Sequence, residues 1–125
     1  MSHTPLVTII DDDASVRVAT ESLVRSLGLL TRCFASAEDF LSCPDLDETD
    51  CVITDLQMPG LSGLELQTLL RERGHRIPLI MITAFPEDRI REQAMAAGAI
   101  GFLAKPFDGQ SMVACLDTAL EDFSF

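Results

Sequence analysis

Four apolar runs in this 125-residue sequence end on side chains able to do chemistry. Leu6-Val7-Thr8-Ile9-Ile10 leads into Asp11-Asp12-Asp13, and Cys51-Val52-Ile53-Thr54 leads into Asp55. Leu79-Ile80-Met81-Ile82 ends on Thr83, and Ala99 to Leu103 leads into Ala104-Lys105-Pro106-Phe107. Three adjacent carboxylates repel at a cost of very roughly 1 kcal/mol or more per pair when partly shielded from water, so they are kept for some gain. Asp13 is accounted for as the N-cap of the following helix, but Asp11 and Asp12 cannot both be caps. Carboxylates that converge without a counter-charge suit a hard cation. Magnesium, for which manganese can substitute, takes a few carboxylates and keeps part of its water shell. With such a cation bound, the site accepts a phosphoryl group. Asp55 is then a carboxylate nucleophile of the aspartyl-phosphate type, Lys105 a point charge for phosphoryl oxygens, and Thr83 a hydroxyl donor to one of them. Any one of these residues is equally well read as a loop or helix cap; five of them at strand ends outweigh that reading.

To meet, those ends must lie on one edge of a sheet. The runs are short, β-branched and bounded by turn residues, which reads as strands buried on both faces, and ligands of open parallel sheets sit outside the carboxyl ends of the strands. Helical periodicity fills the intervals. Ala14 to Leu27 carries Val16, Ala19, Leu23, Val24 and Leu27 on one face and stops at Gly28. Leu29 to Phe34 interleaves Thr31 and Arg32 with apolar residues, as a strand nearer the sheet edge does. Ser36-Ala37-Glu38-Asp39 and Ser62-Gly63-Leu64-Glu65 both read as capping boxes. The first opens a short helix ending before Pro44, and the second a helix that turns Leu66, Leu69 and Leu70 inward and stops at Gly74. Asp45 to Asp50 reads as an acidic surface turn. Pro86-Glu87-Asp88 starts a fourth helix with Ile90, Ala94 and Ala97 inward, and Asp108 caps a fifth with Met112, Leu116, Ala119, Leu120 and Phe123 inward. Five strands alternating with five helices predict an α/β, doubly wound parallel sheet with right-handed crossovers, in one domain over residues 1–125.

Composition narrows the function classes. With 47% hydrophobic residues the chain supports one core, and a formal charge of −11 with nine dispersed Lys and Arg argues against binding nucleic acid. No apolar run approaches the roughly 20 residues that cross a bilayer, and no secretory signal pattern opens the sequence, which predicts a cytoplasmic protein. Cys33, Cys43, Cys51 and Cys115 form no C-x-x-C pair and have no His at ligand spacing, so they read as small hydrophobes in a reducing compartment rather than zinc ligands. His3 and His75 have no paired ligand by spacing.

The same residues carry a family resemblance. Ile10-Asp11-Asp12, Thr54-Asp55-Leu56-Gln57-Met58-Pro59-Gly60 with Ser62-Gly63-Leu64-Glu65, Ile82-Thr83-Ala84 and Ala104-Lys105-Pro106-Phe107 together resemble the signature of bacterial two-component response-regulator receiver domains, in order and over nearly the whole chain. The resemblance implies a flavodoxin-like strand order of 2-1-3-4-5 and phosphorylation of Asp55 by a sensor histidine kinase. It implies magnesium held by Asp11, Asp12, Asp55 and the backbone carbonyl of Gln57, and phosphoryl contacts from Thr83, Ala84 and Lys105. A cis peptide is expected between Lys105 and Pro106, and a switch formed by Thr83 and Phe102, where the family often has Tyr. The stretch from Met58 to Leu66 most resembles receivers of the nitrogen-fixation regulator type, usually joined to a helix-turn-helix domain. None lies within these residues, so the expectation is an excised or stand-alone receiver that signals through its fourth helix, fifth strand and fifth helix, including by forming a homodimer.

Three other classes fit parts of the pattern. A flavodoxin-type electron carrier needs Gly, Ser or Thr donors in its first loop, where Asp11-Asp12-Asp13 would repel the phosphate. A magnesium-dependent phosphatase of the haloacid dehalogenase kind wants a second Asp two residues after the nucleophile, where Gln57 stands. A receiver that no longer accepts phosphate and acts as an interaction module is the third, although every acceptor and metal position is filled here.

Overall fold

Within residues 4–121, which a computed structural model describes, every apolar run becomes a strand. These are β1 (Leu6–Ile10), β2 (Leu30–Phe34), β3 (Cys51–Asp55), β4 (Leu79–Thr83) and β5 (Gly101–Ala104). The helices are α1 (Ala14–Ser26), α2 (Ala37–Leu41), α3 (Gly63–Glu72), α4 (Asp88–Ala96) and α5 (Gly109–Ala119). The strands pair in parallel in the order β2-β1-β3-β4-β5. Every residue of β3 and β4 is buried, whereas β2, at the sheet edge, is only partly covered. That contrast is the one expected from their unbroken and interleaved apolar patterns.

Two apolar clusters hold the layers together. Ile10, Val52 and Met81 pack with Phe40 of α2, Leu66 and Leu70 of α3 and Ala94 of α4 on one face. Val7, Ile9, Ile53, Ile80 and Ile82 pack with Val24 of α1 and Met112 and Leu116 of α5 on the other. The caps hold as well. Asp13 accepts from the backbone N–H of Ser15 and Val16, Ser62 and Glu65 form a full capping box, and Asp108 accepts from Ser111 N–H.

Several local expectations shift. The α2 cap is only half a box: Ser36 accepts from Asp39 N–H, but Asp39, one methylene shorter than Glu, makes no return bond, and Glu38 instead reaches Leu61 N–H at 3.3 Å. On α1 the buried face holds Thr20 and Val24 while Ala19 is exposed, a rotation that leaves the Thr20 hydroxyl buried. The acidic turn contains a 3-10 turn, Leu46–Glu48, anchored by buried Leu46, and Asp50 accepts from Leu6 N–H at 2.8 Å. The last strand starts later than its apolar run, because Ala99 N–H bonds back to Ala94 to close the end of α4. His3 and Phe123 lie outside the described residues.

Candidate functional site

Strand register decides which polar ends meet. Ile10 pairs with Thr54, so the next residues, Asp11 and Asp55, stand side by side at the carboxyl edge. Side chains alternate along a strand. Asp11 therefore follows Ile9, Asp55 follows Ile53 and Lys105 follows Leu103 onto the face covered by α1 and α5. Thr83 is one residue past Ile82, the register partner of Asp55, and so leans to the opposite face, that of Met81 and its pair Phe102.

The carboxylates converge as the sequence predicts. Asp11, Asp12 and Asp55 each offer an oxygen within 4.8 Å of the others, with Asp11 and Asp55 buried and Asp12 exposed. Lys105 bridges the two buried acids, its Nζ lying 2.9 Å from Asp11 Oδ2 and 3.3 Å from Asp55 Oδ2. Each acid is also tied by local backbone. Asp13 N–H donates to Asp11 Oδ1 at 2.9 Å and Gln57 N–H to Asp55 Oδ1 at 3.3 Å. The Lys105 N–H donates to the Thr83 carbonyl at 2.7 Å, and the Lys105–Pro106 peptide is cis. The loop that follows β3 is pinned from both sides. Gly63 lies so near the strand that a Cβ there would sit 2.8 Å from the Asp55 carbonyl oxygen, and Glu38 holds the Leu61 N–H.

Charge and burial set the poise of this crevice. Burial, then the neighbouring Asp11 charge, push the Asp55 carboxyl above its ordinary range; Lys105 and the Gln57 N–H offset this only in part. For Lys105, burial works to lower the ammonium, but Asp11 and Asp55 outweigh it and hold the group above its ordinary value. The arrangement is thus a deficit of positive charge around a raised carboxylate. Its donor set, three carboxylates of which one is exposed, could hold a hard divalent cation.

The remaining predicted residues frame the crevice. Gln57 follows β3 with an exposed side chain, and Ala84 is exposed at the end of β4. The Thr83 hydroxyl is buried and accepts from Phe85 N–H at 3.1 Å. Phe102 is partly buried against the cluster that holds Met81 and Ile90.

A sequence model of the response regulator receiver domain matches residues 7–117. The chain belongs to that family. This receiver is 40% identical over 116 residues to the response regulator protein TmoT of Ectopseudomonas mendocina, an alignment covering 93% of this chain and 53% of that protein. It is 38% identical over 114 residues to the transcriptional regulatory protein FixJ of Azorhizobium caulinodans, covering 91% and 54%. The chain therefore spans about half the length of the curated relatives it matches. The crystal structure of FixJ-N superposes on the receiver with a TM-score of 0.85 at 31% identity, covering 98% of each chain. The strand order implied by the family resemblance is the order found.

Two contacts near the receiver's crevice fall outside the sequence reading, which gives Arg17 no role and places Glu38 only in a capping box. Arg17, one turn into α1, donates from Nη1 to the Asp11 carbonyl at 2.6 Å. Glu38 clamps the loop after Gly60 rather than its own helix. For Arg17 a signal existed: it sits four residues after the cap Asp13, on the turn that faces back toward the loop. For Glu38 the contact spans 23 positions and no local pattern announces it.

Proposed function

We propose that this receiver takes a phosphoryl group onto Asp55 from the phosphohistidine of a sensor histidine kinase, or from a small phosphodonor, as a signalling step in the cytoplasm. The convergence of Asp11, Asp12 and Asp55 around Lys105 carries the reading. An Asp55 oxygen forms the new bond to phosphorus while the bond from phosphorus to the donor nitrogen or oxygen breaks, with the electron pair leaving on the donor. Asp11, Asp12, Asp55 and the Gln57 carbonyl would hold magnesium or manganese, which supplies neutralisation of the charge that gathers on the phosphoryl oxygens. Lys105 trades its contact with Asp55 for one with a phosphoryl oxygen. Ala84 contributes backbone at the rim.

The faces assigned by register support a route for the response. A phosphoryl group on Asp55 offers an acceptor to the Thr83 hydroxyl, which itself accepts from the Phe85 N–H. Movement of Thr83 changes the space on the face it shares with Phe102, which turns inward and repacks the α4-β5-α5 surface. That surface then meets a partner or a second receiver. Transcriptional output is supported by the relation to FixJ, a transcriptional regulatory protein, and would run through a partner or further domain rather than through direct nucleic-acid binding by this acidic chain. On this reading the domain assists its own phosphorylation and dephosphorylation but turns over no separate substrate. A haloacid-dehalogenase-type phosphatase is disfavoured by Gln57 at the place of its second acid.

Intact mass after incubation with acetyl phosphate tests the reading. One phosphoryl group should appear on the wild type with magnesium, and none with chelator or on Asp55→Asn. Equal labelling of Asp55→Asn would overturn it.

A further inference from the structure

The position of Asp12 poses a problem that the acids themselves do not solve. Asp11 and Asp55 are held by Lys105 and by backbone N–H groups. The Asp12 carboxylate accepts no hydrogen bond among the described residues and is exposed, yet it lies within 4.8 Å of the other two. Its placement therefore depends on the backbone that carries it. The peptide between Asp11 and Asp12 is planar, so whatever fixes the Asp11 carbonyl also fixes the direction in which Asp12 leaves. The group that fixes it is Arg17, whose guanidinium donates to that carbonyl at 2.6 Å.

Nothing simpler explains the contact. Arg17 is half-buried and stands four residues before Glu21, a spacing at which an ordinary helix-surface ion pair would form. Among the described residues Arg17 makes no ion pair, and Glu21 instead accepts from the Thr31 hydroxyl at 2.9 Å. In a chain with 20 acidic residues, this cation is spent on a main-chain oxygen beside two of them.

We propose that Arg17 is a positioning residue for the divalent-cation site: by holding the Asp11–Asp12 peptide it presents the Asp12 carboxylate to the ion. The inference rests on reading the acidic cluster as a cation site. Its consequence has the opposite sign to simple electrostatics. A positive charge near a cation site repels the ion, so removing it should tighten binding if charge alone matters. If Arg17 acts by position, removing it should loosen binding although repulsion is relieved, by about tenfold, as for other groups that orient metal ligands.

The experiment is a Mn2+ titration of metal-free wild type, Arg17→Met, Arg17→Lys and Asp12→Asn, reading free Mn2+ by electron paramagnetic resonance, with circular dichroism to verify folding. Arg17→Met should bind Mn2+ about tenfold more weakly, and Arg17→Lys, which keeps the charge and one donor without the planar fork, should fall between it and wild type. Equal or tighter binding by Arg17→Met, or Arg17→Lys indistinguishable from Arg17→Met, overturns the proposal. If Arg17→Met does not fold, Arg17→Lys against wild type decides: weaker binding supports positioning and unchanged binding refutes it. Failure of the underlying reading looks different, since wild type and Asp12→Asn would then bind Mn2+ equally.

Discussion

Replacing Asp55 by Asn should make the metal-free protein more stable, and the sign is not obvious from contacts alone. The substitution removes an attraction to Lys105 across 3.3 Å, about 5 kcal/mol at an effective dielectric near 20. It also removes repulsion from Asp11 within 4.8 Å, at least about 3.5 kcal/mol on the same basis. Coulomb terms alone thus favour the charged residue by at most about 1.5 kcal/mol. Desolvation decides, because a carboxylate taken out of water carries a penalty of several kcal/mol, and Asp55 is 5% exposed. The net is a gain of about 1–2 kcal/mol for Asn, or roughly 3–8 °C in melting temperature for a domain of this size. The direction agrees with the raised Asp55 carboxyl, for which burial is the leading cause and the Asp11 charge the second. A carboxyl raised in the folded state costs stability above its folded pKa, and that cost disappears as pH falls through it toward the ordinary 3.8. The variant's advantage at neutral pH should therefore close on acidification. Magnesium should reverse the order: at a hundredfold excess over its dissociation constant it adds about 2.7 kcal/mol to the wild type and much less to a variant lacking one of three carboxylates. Differential scanning fluorimetry with an extrinsic dye, in chelator and in magnesium, reads all of this, as the chain has no Trp or Tyr. A variant no more stable than wild type in chelator, or equal magnesium shifts for both, would refute the reasoning.

Lys105→Met should destabilise the metal-free fold by about 2–3 kcal/mol, below the usual range for a broken buried pair because the lysine side chain is 15% exposed. The stability that Lys105 contributes is present below its ordinary pKa of 10.5 and lost as pH rises through its raised folded value, so urea midpoints of wild type and variant should converge at strongly alkaline pH. Gly63→Ala should cost about 1–3 kcal/mol, because its Cβ would meet backbone, the Asp55 carbonyl oxygen at 2.8 Å and Leu56 Cα at 3.1 Å. A lower urea midpoint with unchanged slope is the expected result, and an unchanged midpoint would show that β3 and α3 can separate freely.

The sheet and the central acids were legible because each rests on a local rule that tertiary structure had no reason to override. Cys51 to Thr54 offers no polar side to water, so it had to be central, and a strand of known phase places Asp55 on a known face. That Lys105 and Thr83 lean to opposite faces emerges only from the strand register. What escaped were contacts in which a polar side chain has several partners within reach. Arg17 has Glu21 at helical spacing but bonds a carbonyl instead. Gln67 sits in a helix whose apolar pattern leaves it outside the core, yet it is buried and donates to the Ala94 carbonyl at 3.0 Å, tying α3 to α4. Thr20 takes a core position that Ala19 was expected to share, since rotating the face by one residue buries a methyl group of similar bulk. Sequence periodicity assigns a residue to a face; which partner it selects depends on distances that only the assembled layers define.

Three places where local chemistry disagrees with stability gather at one edge of the sheet. Away from it, the two apolar clusters close without charge. At that edge two buried acids share one ammonium, a third acid is held near them without a hydrogen bond among the described residues, and a helix starts too close to a strand to tolerate a methyl group. Real proteins tend to break local rules where function requires it. The breaches also have a common direction, because each raises negative charge or removes freedom around Asp55. A binding partner that relieves them must bring positive charge, and a modification of Asp55 that exploits them must use it. On the proposed function the cation has to arrive before the phosphoryl group, because the excess of carboxylates alone would oppose an incoming phosphoryl group.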